Sequence, residues 1–255
     1  MSDLAVRSVV GVALIALAAA ALWAGGIAFW LLIVVAGLLM MAEWVALQGG
    51  TLRDRKIAQF TLSVPLAIMA PIAAGPDFFA LGLVAGAAFF VAAVTRRGVM
   101  GAGVLYVGVP VLALLLLRAQ PNGILLAFWA MALVWATDIG AFFAGRLIGG
   151  PKLAPVLSPN KTWAGLIGGV TAATLLAFAA HVWAGLPFYL AAATPLLALM
   201  AQAGDLYESW LKRCAGVKDS GNLLPGHGGL LDRLDGLVAV APLAAVLVEL
   251  PRWTG

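Results

Sequence analysis

Charge is what this 255-residue chain lacks most. It has 15 Lys and Arg and 11 Asp and Glu, 10% of its residues, against ~25% in an ordinary soluble domain. So few charges would not cover the surface of a water-soluble globule of this size. Its single cysteine, Cys214, excludes an intrachain disulfide framework and a cysteine-rich zinc site. The sequence also lacks a Walker A loop, a dinucleotide-binding fingerprint, a zincin motif, internal repeats and low-complexity segments. What it does have is apolar. Hydrophobic residues make up 64% before 30 glycines are counted, which excludes a disordered chain as well. The composition is that of an integral membrane protein.

A helix needs about 17–25 mostly apolar residues to cross the hydrocarbon core. Nine runs at 8–24, 27–47, 57–74, 78–94, 99–117, 123–145, 162–183, 187–204 and 236–250 predict nine such helices; the last is short and has room to begin a turn earlier. Lipid admits only helices or closed barrels, and these runs are too long and continuous for barrel strands. The expected fold class is therefore all-α and polytopic. Residues 1–26 have the outline of a signal peptide, but another apolar run follows with no polar cleavage region between, so they read as a first span.

Basic residues set the orientation. The N-terminal side carries Arg7, Arg53, Arg55, Lys56, Arg96, Arg97, Arg146, Lys152, Lys161, Lys212, Arg213, Lys218 and Arg233; the opposite side has only Arg118 and Arg252. Thirteen against two places the N-terminus in the cytoplasm and the C-terminus outside. Residues 1–122 then form an N-terminal region of five spans. Residues 123–255 form a C-terminal region with two long cytoplasmic loops, 146–161 and 205–235. The compact chain, with no targeting segment, points to a bacterial inner membrane. No nucleic-acid partner is expected, and homodimerisation is left open.

Loop 205–235 concentrates the polar chemistry, with nine charges of mixed sign and His227 in Pro225-Gly226-His227-Gly228-Gly229. A solvated connector is the bland alternative. Asp205, Glu208, Ser209 and Lys212 share one face if span eight continues as a helix. Asp232 and Asp235 sit at i, i+3 where span nine begins, a position that suits a helix N-terminus by itself. Carboxylates at both helix ends also supply the hard oxygen donors that Mg²⁺ takes together with a phosphate ligand. Asp138 lies eight residues before Arg146, ~12 Å into the membrane, and is either functional or a protonated or Arg146-paired structural residue. Glu43, four residues from the end of span two, reads as a snorkelling side chain. His181 reads as structural or interfacial. Ser158-Pro159-Asn160-Lys161-Thr162 offers an anion site before span seven, although helix capping explains Ser158 or Thr162 equally well.

Seventeen of the 27 positions from 209 to 235 resemble the signature of the phosphatidate cytidylyltransferases, or CDP-diacylglycerol synthases. They run Ser209-x-Leu211-Lys212-Arg213, Lys218-Asp219-x-Gly221 and Leu224-Pro225-x-His227-Gly228-Gly229-Leu230-x-Asp232-Arg233-Leu234-Asp235. Gly204-Asp205, the Asp138-Ala141-Phe142-Gly145-Arg146 pattern and the Ser158 to Thr162 stretch are similar to other family motifs. Ala164 departs from a glutamate that the family often has there.

The resemblance implies transfer of the cytidylyl group of CTP to phosphatidate, with pyrophosphate released. It makes Asp205, Asp232, Lys218, Asp219 and His227 candidate catalytic residues. Ser158, Lys161, Thr162, Lys212, Arg213 and Arg233 become candidate phosphate holders. Asp205, Asp232, Asp138 and Asp235 become candidate ligands for Mg²⁺, with room for a second cation. The weighed alternatives are a CTP-dependent lipid kinase and an ion-coupled transporter. Thiol labelling tests the orientation. A cysteine in place of Asn122 should react in intact cells, whereas labelling within loop 205–235 should require permeabilisation. Ready labelling of that loop from outside would reverse the assignment.

Overall fold

The computed structural model describes residues 3–223 and 228–254. Its described residues form nine helices: α1 (Asp3–Ala24), α2 (Gly26–Leu47), α3 (Leu52–Ile68), α4 (Phe78–Thr95), α5 (Gly98–Ala119), α6 (Gly123–Leu147), α7 (Trp163–Ala184), α8 (Phe188–Cys214) and α9 (Leu231–Thr254). Among the described residues, five stretches are long and apolar enough to cross a membrane: Gly26–Leu47, Gly98–Ala119, Gly123–Leu147, Trp163–Ala184 and Leu231–Pro251. Gly11–Ala24 and Phe79–Thr95 are shorter apolar helical stretches.

The all-α expectation needs one correction. Loop 146–161 contains an antiparallel hairpin, β1 (Lys152–Ala154) and β2 (Ser158–Thr162), with Lys152 opposite Thr162 and Ala154 opposite Ser158. The strands are too short to show alternation in sequence, and Leu157 N–H donates to Ala154 O across the turn at 3.2 Å. Helix α3 begins at Leu52 instead of 57, because Thr51 and Asp54 form a capping box. Thr51 N–H donates to Asp54 Oδ2 at 2.9 Å, and Asp54 N–H donates to Thr51 Oγ1 at 3.1 Å. The Thr51 backbone N–H, then the Thr51 hydroxyl donating to Asp54 Oδ2 at 3.0 Å, hold the Asp54 carboxyl below its ordinary range, with help from Arg97. Helix α8 runs on to Cys214, and α9 begins at Leu231, so both ends of loop 205–235 are helical.

The chain divides into two compact units, residues 1–119 with 214–234, and residues 120–213 with 235–255. In the first, Phe29, Met41, Leu62, Leu66, Met69, Met100 and Leu117 are fully buried. Trp44 of α2 donates its indole N–H to Val99 O at 3.0 Å. Gly103 of α5 lies against the Trp44 ring, where a Cβ would collide with it. Arg97 donates to the carbonyls of Gln48 and Gly49, which follow the end of α2. A cation at that position also suits the helix dipole.

In the second unit α6 and α7 meet through small residues. A Cβ added at Gly140 would stand 2.7 Å from Gly168 O, and one at Gly169 would stand 2.6 Å from Thr137 O. Such contact gives dispersion and backbone proximity in an apolar setting where the hydrophobic effect is weak. Gly165 and Gly169 lie in this interface, while Gly82 and Gly86 face open space. Trp129 of α6 donates to Thr194 Oγ1 of α8 at 3.1 Å. Helix α9 approaches α8 closely at Gly204, where a Cβ would be 2.6 Å from Asp235 O. Gly169→Leu should destabilise the protein by ~1–3 kcal/mol or more through overpacking, read as a lower unfolding temperature in detergent. Gly82→Leu should leave that temperature nearly unchanged.

Candidate active site

Lys161 organises the polar side chains of the second unit. It is the penultimate residue of β2, and Thr162 after it caps α7 by accepting from Gly165 N–H at 3.0 Å. A cap of this kind contributes ~1 kcal/mol and fixes the chain direction into the helix. Lys161 Nζ ion-pairs with Asp205 Oδ2 at 2.5 Å and donates to Gln202 Oε1 at 2.9 Å. The buried Gln202 passes the contact on, its Nε2 donating to Asp138 Oδ1 at 3.4 Å. Asp235 lies in the combined field of Asp205, Asp138 and Lys161. Four separate elements, α6, β2, α8 and α9, thus bring three carboxylates and one ammonium together.

Helix α8 presents the expected face. Ser209 Oγ donates to Asp205 Oδ1 at 3.5 Å, and Lys212 lies 3.5 Å from Glu208, whose carboxylate is fully buried. Tyr207 and Trp210 point away from that face and are exposed. Arg213 is exposed near the helix end. Ser158 sits in the hairpin opposite Ala154.

In the first unit, Asp232 is the hub of the 214–234 segment. Its Oδ2 accepts from Ser220 N–H at 2.8 Å, Ser220 O–H at 2.9 Å and Gly229 N–H at 2.8 Å. Gly228 adopts φ 79°, a conformation that favours glycine, and a Cβ there would meet Asp232 Oδ2 at 2.7 Å. Lys218, Asp219 and Arg233 are exposed. A cavity of about 300 Å³ lies beside this segment, lined by Ala46, Leu47, Gly49, Ala215, Val217, Asp219 and Ser220. His227 lies outside the described residues, as do Leu224, Pro225 and Gly226.

Glu43 is not a snorkelling residue. It is buried, and its carboxylate accepts from Leu230 N–H and Leu231 N–H, each at 2.8 Å, and from Ser220 O–H at 3.2 Å. Distance from a span end made it look able to reach solvent, but donors 187 and 188 positions away in the chain hold it inside. Gln202 was also missed in the sequence, although it lies three residues before Asp205 on the same helical face.

No three Asp, Glu, His or Cys side chains stand close enough to chelate one ion among the described residues. Lys161 is the cation that balances Asp205 there. The donor chemistry nevertheless suits Mg²⁺, which commonly takes one or two carboxylates and completes its shell with water and substrate phosphate oxygens.

The family described as "Cytidylyltransferase family" matches residues 5–250. A protein of Brucella suis biovar 1 (strain 1330) named phosphatidate cytidylyltransferase is 42% identical over 250 residues, covering 95% of this chain and 92% of that protein. Proteins of the same name from Bacillus subtilis (strain 168) and Rickettsia bellii (strain RML369-C) are 47% and 39% identical. Those matches cover 50% and 55% of this chain, and 49% and 65% of the relatives.

Proposed function

The chain belongs to the cytidylyltransferase family, and on that premise we propose that it transfers the cytidylyl group of CTP to phosphatidate. The products are CDP-diacylglycerol, for phospholipid biosynthesis, and pyrophosphate. The observation that carries this reading is the 42% identity, along 95% of the chain, to a protein named for that activity. The chain is then a multi-pass enzyme of the cell inner membrane, with nine spans and a cytoplasmic N-terminus.

An oxygen of the lipid phosphate attacks the α-phosphorus of CTP. The new P–O bond forms as the bond to the β-phosphate oxygen breaks, and that oxygen leaves with pyrophosphate. No covalent enzyme intermediate is needed, so the protein's task is to position two anions and stabilise growing negative charge. Lys161, held between Asp205 and Gln202, is preorganised for this work. Lys212, Arg213, Lys218, Arg233 and His227 are the further phosphate holders, with Ser158 and Thr162 flanking Lys161. Asp219 borders the cavity beside the 214–234 segment. Asp205, Asp232, Asp138 and Asp235 are the carboxylates assigned to Mg²⁺, and their number accommodates a second cation. When bound, Mg²⁺ supplies charge neutralisation at the phosphates.

Purified protein incubated with phosphatidate, Mg²⁺ and CTP should move label from the α-phosphate into lipid and release one pyrophosphate per lipid product. Lipid labelled only from the γ-phosphate, with CDP released, would make the chain a lipid kinase instead. Asp205→Asn and Asp232→Asn should each lower turnover by ~10²–10³-fold or more, with partial recovery at higher Mg²⁺. Lys218→Ala and Arg213→Ala should weaken CTP or lipid use without such recovery. Near-normal turnover in both aspartate variants would remove the metal assignment.

A further inference from the structure

Two glycines of the 214–234 segment stand against the Glu43 carboxylate. A Cβ added at Gly221 would press on Glu43 Oε1 at 3.0 Å, and one at Gly229 would collide with Ser220 Oγ and lie 2.7 Å from Glu43 Oε2. The Glu43 carboxylate fills the space between them and meets three donors. Oε1 accepts from Leu230 N–H; Oε2 accepts from Leu231 N–H and Ser220 O–H. Leu230 and Leu231 open α9, where amides have no partner within the helix. The same Ser220 hydroxyl stands 2.9 Å from Asp232 Oδ2, one residue further along α9, so its single proton is shared between the two carboxylates.

We infer that Glu43 of α2 is a positioning residue for the transfer reaction. It fixes Ser220 and the first amides of α9, and through them the direction of Asp232. The catalytic part rests on the proposed function; the positioning geometry does not. Both oxygens are required, because each accepts a backbone N–H on its own side. Glu43→Gln would turn an NH₂ group toward one of those donors. Glu43→Asp is one methylene shorter and does not span both.

Hydrogen–deuterium exchange of the full-length protein in detergent, paired with turnover per folded enzyme, tests this. In Glu43→Gln, amides of 228–232 should exchange ~10-fold faster or more, while α4 and α5 keep their protection. Turnover should fall by ~10–100-fold, and Glu43→Asp should not restore it. Ser220→Ala should retain protection at Leu230 and Leu231 and lose less activity. If Glu43→Gln does not accumulate, Gly221→Ala, which crowds the carboxylate from the loop side, should give the same local exchange and loss of turnover. Wild-type exchange at 228–232 in Glu43→Gln or Gly221→Ala would overturn the inference. So would faster exchange throughout α2–α5 with unchanged turnover per folded enzyme. Absence of cytidylyl transfer by the wild-type chain would defeat the activity reading alone, since exchange still reports on Glu43.

Discussion

A buried carboxylate in so apolar a chain needs partners, and Glu43 has two backbone amides and a share of the Ser220 hydroxyl. Hydrogen bonds to a charged group contribute ~1.5–3 kcal/mol each, whereas an unpaired buried charge costs several kcal/mol. That imbalance ties α2 to the start of α9 and to Ser220. Gly229 suits it, since a Cβ there would run into Ser220 Oγ and the Glu43 carboxylate, and one at Gly221 would crowd the same carboxylate. Asp232 repeats the device in the same segment, drawing Ser220 and Gly229 onto one oxygen. A segment rich in glycine is thereby held by two carboxylates.

The second unit solves the same problem with opposite charges. Lys161 and Asp205 neutralise each other, and Gln202 satisfies both Lys161 and Asp138 with the two ends of one amide. Close backbone approach at Gly204 brings Asp235 into their field. The hairpin matters here because it delivers Lys161 in a set direction, one residue ahead of the Thr162 cap. A lysine already held by aspartate and glutamine has little side-chain freedom left to lose, and that is the physical content of preorganisation.

Much of this was legible in the chain. Apolar runs marked the long helices, and the spacing of Asp205, Glu208, Ser209 and Lys212 marked the face that α8 presents. The hairpin was not legible, because strands of three and five residues interrupted by Pro159 leave no period to detect. Glu43 was misread for a different reason. Its partners lie nearly the whole chain away, and a rule based on distance to a span end cannot see them. Gln202 escaped notice because it is neutral and sits in an apolar run. The sequence shows a glycine run beside His227 but not its cause: a Cβ at Gly228 would meet Asp232, and one at Gly229 would meet Ser220 and Glu43.

On the proposed reading the enzyme positions charge around a direct displacement, with no nucleophile of its own. The stereochemical course at the α-phosphorus tests it most directly. CTP made chiral by sulfur at that phosphorus, transferred to phosphatidate, should give a lipid product with inverted configuration. Retention of configuration would mean two displacements through a cytidylyl-protein intermediate and would contradict the account.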